Sequence, residues 1–162
     1  MNTLTYTHLE KEQIKKVTDH LQLLLADYQV FYTNLRGFHW NIKGDKFFVL
    51  HAKFEQMYTD FAEKVDDLAE RLLTLGVTPE SRFSQYLAKA RIKETETLCC
   101  ADDVMRSILE SYSQIIQNQR ELMSIAEEAK DDSTASMMSD FIREQEKFVW
   151  MLVAYFTQSC KN

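Results

Sequence analysis

The sequence predicts an all-α fold: a bundle of four long helices with one long crossover that contains a short helix. Three observations carry this expectation. The 162 residues include only three Gly and one Pro, too few turn-formers for a turn-rich β architecture. All four of them, Gly37, Gly44, Gly76 and Pro79, fall between positions 37 and 79, so 1–36 and 80–162 hold no strong helix breaker. Apolar residues recur at alternating spacings of three and four through most of the chain. With 45% hydrophobic residues the chain can bury one sizeable core, and 162 residues read as a single domain over 1–162. That apolar content excludes intrinsic disorder.

The first helix is marked by Ile14, Val17, Leu21, Leu24, Tyr28, Phe31, Leu35 and Phe38, one stripe of an amphipathic helix. Asn41 and Gly44 read as its stop signals, and Asp45 as the cap of the next helix. The second stripe is as regular: Phe47, Leu50, Phe54, Met57 with Tyr58, Phe61, Val65, Leu68, Leu72 and Leu75, ended by Gly76. Between Gly76 and Ala101 the connection is too long for a turn. There Thr78-Pro79-Glu80 reads as an N-cap followed by Pro at the first helical position, which places a short helix over Glu80 to Lys89. A third long helix is expected from Asp102 to Ala129, with Val104, Ile108, Tyr112, Ile115, Leu122 and Ala126 facing inward. Lys130 to Thr134 form a joint, and a last helix carries Met138, Phe141, Gln145, Phe148, Leu152 and Tyr155 to the C-terminus. Four long helices with one long middle connection make a bundle with a crossover between its halves.

Charge and cysteine content narrow the partners. Nineteen Lys and Arg against twenty-five Asp and Glu give a net charge of -6, so no positive field of the whole chain attracts nucleic acid or an anionic membrane. Cys99, Cys100 and Cys160 are odd in number and include a vicinal pair, unlike a secreted disulfide framework, and a reducing cytoplasm is expected. Their default reading is buried or inert thiols. Met1 to Glu10 lack the basic and apolar regions of a signal peptide, and no apolar run approaches the ~20 residues of a membrane span.

The second helix has more than a core stripe. At ~100° per residue from Phe47, the side chains of His51, Glu55, Asp66 and Glu70 fall at about 40°, 80°, 100° and 140°, a second arc beside the apolar one. Ala62 and Ala69 share that arc, and their small size admits a neighbouring helix. One helix cannot gather the four groups on one ion, because His51 and Glu70 stand about 28 Å apart along the axis and ligand bonds are ~2 Å. An antiparallel second copy can. A two-fold axis between residues 60 and 61 sets His51 and Glu55 of one subunit opposite Glu70 and Asp66 of the other, giving two identical His/carboxylate sites suited to iron, manganese or zinc. The same spacing also suits a solvated, salt-bridging face, and spacing alone leaves both readings open. His39 reads either as a structural histidine or as a neighbour of His51 across the joint. A metal centre inside one bundle is disfavoured, since no His has Glu three residues before it and Gln145 stands where a core carboxylate would be needed.

The stretch from Asn34 to Arg71 carries Gly37-Phe38-His39-Trp40-Asn41, Gly44, Phe47-Phe48, Leu50-His51, Phe54-Glu55 and Asp66-Asp67-Leu68-Ala69-Glu70-Arg71. It resembles the signature of the Dps miniferritins, the DNA-binding proteins from starved cells. The resemblance continues in Lys130-Asp131-Asp132-Ser133-Thr134 and Lys147-Phe148-Val149-Trp150. It implies ferritin-like four-helix subunits in a hollow homododecamer that oxidises Fe(II), preferentially with hydrogen peroxide, stores ferric mineral and protects the cell from oxidative damage. It further implies ferroxidase sites at two-fold interfaces holding two iron ions each, with His39, His51 and Glu55 from one subunit and Asp66 and Glu70 from its neighbour. Glu55 stands where many relatives have Asp, one methylene shorter. Trp40 resembles the family tryptophan near the centre, which implies that it intercepts stray oxidising equivalents; core packing accounts for one Trp equally well. Glu127 and Asp132 align with acidic residues of the family's three-fold iron channels, whereas Ser136 departs from an acidic position in some relatives. The alternative for Glu127, Glu128, Asp131 and Asp132 is that they stabilise a helix joint.

Two other functions compete with iron oxidation: nucleoid binding, and a non-catalytic helical assembly. Relatives that bind DNA by charge use Lys/Arg-rich tails. Here residues 1–10 contain no Lys or Arg, and only Lys161-Asn162 follow Cys160. Direct DNA binding is therefore expected to be weak or absent.

Overall fold

The computed structural model describes residues 3–157. Among them are six helices and no strand: α1 (Thr3–Thr7), α2 (Lys11–Asn41), α3 (Phe47–Thr74), α4 (Phe83–Lys89), α5 (Ala101–Glu128) and α6 (Asp132–Phe156). The four long ones are those expected from the apolar stripes. Every residue of the first stripe from Ile14 to Phe38 is buried, as are Leu50, Phe54, Met57, Phe61, Leu68, Leu72 and Leu75 of the second. α2 packs chiefly on α3, and α5 on α6, with α2 also lying against α5 and α4. At the centre the Phe31 and Phe61 rings meet edge to face at 4.9 Å, and Phe31 meets Tyr112 at 5.5 Å.

The connections set the directions. A short joint reverses α2 into α3. It turns on Gly44 at φ +104, a conformation that favours glycine. The long crossover brings the start of α5 back beside the start of α3, where the Lys43 N–H donates to the Cys99 carbonyl at 3.1 Å. At that same end Lys46 donates to the Tyr155 hydroxyl, which donates to Asp102. The end of α2, both helix starts and the end of α6 therefore share one end of the bundle.

Polar side chains of α2 hold the crossover in place. The Gln22 amide donates to the Thr78 carbonyl and accepts from the Glu80 N–H. Asp27 accepts the N–H groups of Arg91 and Ile92 at 2.6 and 3.0 Å, and the Asn118 amide at 2.7 Å. Asn34 donates to the Lys93 carbonyl and accepts from the Thr95 N–H. A non-helical segment against a helix must place its backbone polar groups somewhere, and these three residues take them.

Three local expectations need correction, and one short helix was not anticipated. The short helix begins at Phe83, not Glu80, because the Glu80 carboxylate folds forward to accept the N–H groups of Ser81 and Arg82 and the Arg82 guanidinium. Its backbone N–H and carbonyl are meanwhile engaged by Gln22 and the Tyr86 hydroxyl. Asp45 does not cap α3; Lys46 occupies that position without a side-chain capping bond, and the Phe47 N–H bonds the Gly44 carbonyl. The polar N-terminal stretch contains α1, docked through buried Leu4. Cys99 and Cys100 are exposed free thiols rather than buried ones, and Cys160 lies outside the described residues. No helix among the described residues is long and apolar enough to cross a membrane.

α3 and α5 end in the same motif with different residues. After α3 the Val77 N–H bonds the Leu72 carbonyl and the Gly76 N–H bonds that of Leu73, with Gly76 at φ +77. After α5 the Asp131 and Lys130 N–H groups bond the Ala126 and Glu127 carbonyls, with Lys130 at φ +57. A Cβ in this left-handed region is strained. Lys130→Gly is therefore expected to raise stability by about 0.5–1 kcal/mol. Urea unfolding checks it, and a variant no more stable than the parent would refute the account.

Candidate metal centre

The joint between α2 and α3 brings His39, in the last turn of α2, against His51, in the first turns of α3. Their rings stack with centroids 3.8 Å apart and planes 21° off parallel. Each Nδ1 lies 2.8 Å from the other residue's backbone carbonyl. A carbonyl oxygen only accepts, so both Nδ1 atoms carry a proton in this arrangement, and in the neutral ring each Nε2 is the atom with a lone pair. Fixing one ring nitrogen so that the other can bind metal is how proteins commonly orient histidine ligands. His39 is buried and His51 half-buried. The stack continues on both sides: Phe47 lies over His51 at 5.0 Å, and Tyr58 meets His39 edge to face at 5.3 Å.

Glu55 follows His51 by one turn on α3 and is exposed. Asp66 and Glu70 are exposed farther along the same helix, with Ala62 and Ala69 on their arc. The structure thus brings His39 and His51 together, leaves Glu55 one turn farther along α3, and does not bring Asp66 or Glu70 to them. Among the described residues no three His, Cys, Asp or Glu side chains of one chain are grouped closely enough to hold a metal ion.

Trp40 is 63% exposed in the single chain, so the core-packing account of it does not hold. Its ring carries the Arg36 guanidinium at 4.7 Å, and Arg36 also lies 5.4 Å from the Tyr32 ring. Of the acidic residues Glu127, Glu128, Asp131 and Asp132 around the joint between α5 and α6, only Asp131 is buried. It caps α6 through the Thr134 N–H and pairs with Arg71, which leaves Glu127, Glu128 and Asp132 exposed.

Among the described residues the bundle interior holds no paired carboxylates. Its centre holds the Tyr28 hydroxyl, which receives hydrogen bonds from the amides of Gln119 at 2.7 Å and Gln145 at 2.8 Å. Burial pushes Tyr28 well above the ordinary phenol range, and both glutamine carbonyl oxygens are buried without a partner. The sequence reading placed Tyr58 in the core stripe and did not connect it to the histidines. The signal was its place seven residues, two turns, after His51.

Comparison with known proteins adds an independent observation. A model of the ferritin-like domain matches residues 8–159. The chain is 47% identical over 155 residues to the "DNA protection during starvation protein" of Porphyromonas gingivalis, covering 96% of this chain and 98% of that one. It is 51% identical over 154 residues to an uncharacterized protein of Haemophilus influenzae, covering 95% and 96%. The crystal structure of the Dps protein of Vibrio cholerae O1, described as a member of a broad superfamily of ferritin-like diiron-carboxylate proteins, superposes with a TM-score of 0.90 at 48% identity. That match covers 92% of this chain and 94% of the other.

Proposed function

The chain belongs to the ferritin-like domain family and within it to the Dps miniferritins, and from that premise we propose that it is a ferroxidase. On this reading it oxidises Fe(II) with hydrogen peroxide or oxygen at intersubunit sites and stores the ferric product in a hollow homododecamer. Iron storage and protection are the function of the family as a whole; the site and the oxidant are our reading. The observation that carries it is the stacked pair His39 and His51, with both Nδ1 atoms engaged by carbonyls and both Nε2 atoms available. On the same α3 face lie two acidic residues that no single chain can bring to them. A second copy of α3 running antiparallel supplies Asp66 and Glu70 opposite His51 and Glu55.

Each side chain has a role in this scheme. The carboxylates of Glu55, Asp66 and Glu70 hold two Fe(II) ions and balance their charge, and the imidazoles complete the donor set. Two Fe(II) ions held together supply both electrons that peroxide needs to become two waters, so no hydroxyl radical is released. Exposed Glu127 and Asp132 fit a three-fold iron entry, and the cytoplasm is the expected compartment. Twelve copies of a chain with net charge -6 repel phosphate, so direct DNA binding is weak or absent at neutral pH and physiological salt; a tight, salt-sensitive mobility shift by the purified protein would overturn that.

Stopped-flow oxidation of Fe(II) by peroxide tests the central reading. Saturable turnover is expected in the parent, with loss of at least about a hundredfold in His51→Ala, given that removing even an outer-shell partner of a ligand costs 10–100-fold. Variants that oxidise iron as fast as the parent would leave a non-catalytic helical assembly as the better description.

A further inference from the structure

We propose that Lys64 is a built-in cation that keeps iron out of the bundle: its ammonium fills a cation site between α3 and α6, so that Fe(II) collects only at the paired intersubunit sites. The consequence for iron chemistry rests on the iron-oxidising reading above; the cation site itself does not. Lys64 is buried at 6% exposure. Two carboxylates from two helices converge on its ammonium, that of Asp60 one turn earlier on α3 and that of Glu144 on α6 at 2.9 Å. Carboxylates that reach one nitrogen from two elements reach the same point in space, which is what a metal site requires of its charged ligands.

A further oxygen donor stands in the same place. Asp60, Lys64 and Glu144 line a cavity of about 330 Å³ together with Tyr112, Gln145 and Phe148. Gln145 is buried, and its carbonyl oxygen has no hydrogen-bond partner. Two carboxylates and an amide oxygen suit a divalent cation, and the ammonium of this chain already occupies the point between them. Burial pulls Lys64 toward neutrality, but the hydrogen bonds and charges of Asp60 and Glu144 outweigh it and hold the group above its ordinary 10.5. Lys64 therefore stays charged at neutral pH and repels a metal from the point it fills.

The position is separate from the intersubunit site. At ~100° per residue from Phe47, Asp60 and Lys64 fall at about -140° and -100°, across the core stripe from the arc of His51, Glu55, Asp66 and Glu70. The two carboxylate charges balance one divalent ion, not a pair. A lone Fe(II) gives peroxide one electron: the O–O bond breaks to hydroxide and a hydroxyl radical, and Fe(III) remains. That radical is set free against the Tyr112 and Phe148 rings, which line the cavity. Closing this site with an ammonium confines iron to the place where two electrons are delivered together.

Counting metal on the assembled apo protein tests the proposal. In equilibrium dialysis against Mn(II), Lys64→Ala is expected to hold about one more ion per chain than the parent, and so is Lys64→Gln, whose amide adds an oxygen donor. Lys64→Arg keeps the charge and matches the parent. Asp60→Asn added to Lys64→Ala removes the extra ion, whereas Asp60→Asn alone leaves the parent's count unchanged. With Fe(II) and peroxide, spin-trapped hydroxyl radical rises severalfold in Lys64→Ala and falls back in the double variant. Circular dichroism and assembly size establish that each variant folds. If neither Lys64→Ala nor Lys64→Gln holds more Mn(II) than the parent, or if Asp60→Asn alone lowers the parent's count, the proposal is overturned and the intersubunit site stands. Failure of the iron-oxidising reading is seen separately, as absence of saturable Fe(II) oxidation in the parent, which the Mn(II) counts do not depend on.

Discussion

Assemblies refolded from equal amounts of His51→Ala and Glu70→Ala subunits are expected to recover Fe(II) oxidation that neither variant shows alone. The two-fold arrangement fixes the amount. In a dimer of identical variants both sites lack the same ligand, so both fail. In a mixed dimer one site combines the missing His51 with the missing Glu70, and the other combines an intact His51 with an intact Glu70. Random pairing makes about half of the dimers mixed, and half of their sites are whole, so about a quarter of the parent activity returns. Sites completed within one chain would return none, because each chain lacks one ligand whatever its partner. The stopped-flow rate of the mixture, set against the two separate variants refolded in the same way, decides between them. Absence of recovery in a mixture of parent-like size would refute the intersubunit site even if each single variant is inactive.

The long helices were legible because burial imposes a period on the sequence. A run such as Ile14 to Phe38 has one physical explanation, a helix face against a core, and every residue of it is buried. The His51 to Glu70 arc was legible for the related reason that its polar residues also keep helical register. What failed was chemistry that does not depend on register. Pro79 follows a good capping residue, yet the chain stays non-helical there, because Gln22, fifty-six residues before Thr78, donates to the Thr78 carbonyl. Asp45 lost its expected cap role to a turn built on Gly44. The contact between Tyr58 and His39 depends on how α2 and α3 are rotated about their axes, which the core stripe constrains only coarsely. Lys64 is a further case. It lies beside the core stripe of α3 yet is buried; its ammonium pairs with Asp60 at the i,i+4 spacing and with Glu144 of α6, and no spacing within α3 announces the second partner.

Asp27→Ala is expected to be the most destabilising single change in the crossover's attachment. Asp27 is fully buried, and its two carboxylate oxygens accept the Arg91 and Ile92 N–H groups and the Asn118 amide. Each buried group left without a partner costs about 1–3 kcal/mol, and water reaching the Arg91 side restores part of that, so a loss of about 3–5 kcal/mol is expected. Urea unfolding measures the total, and faster hydrogen exchange at the Arg91 and Ile92 amides shows that the loss is local to the crossover. A change below about 1 kcal/mol would mean that the crossover is held mainly by its apolar contacts. The pH dependence supplies a second check. Burial raises the Asp27 carboxyl above its ordinary 3.8, against the opposing effect of the Ile92 and Arg91 N–H groups and Asn118. The folded protein therefore binds this proton more tightly than the unfolded chain does. The stabilisation from Asp27 is complete below 3.8 and declines as the pH rises through its raised value. The alanine variant lacks that slope, so the stability gap between parent and variant should be widest in acid and narrow toward neutral pH. Asp27→Asn should fall between the two. Its carbonyl can still accept the two backbone N–H groups, but its amide then faces the Asn118 amide, which cannot rotate to accept because its own oxygen already takes Arg91.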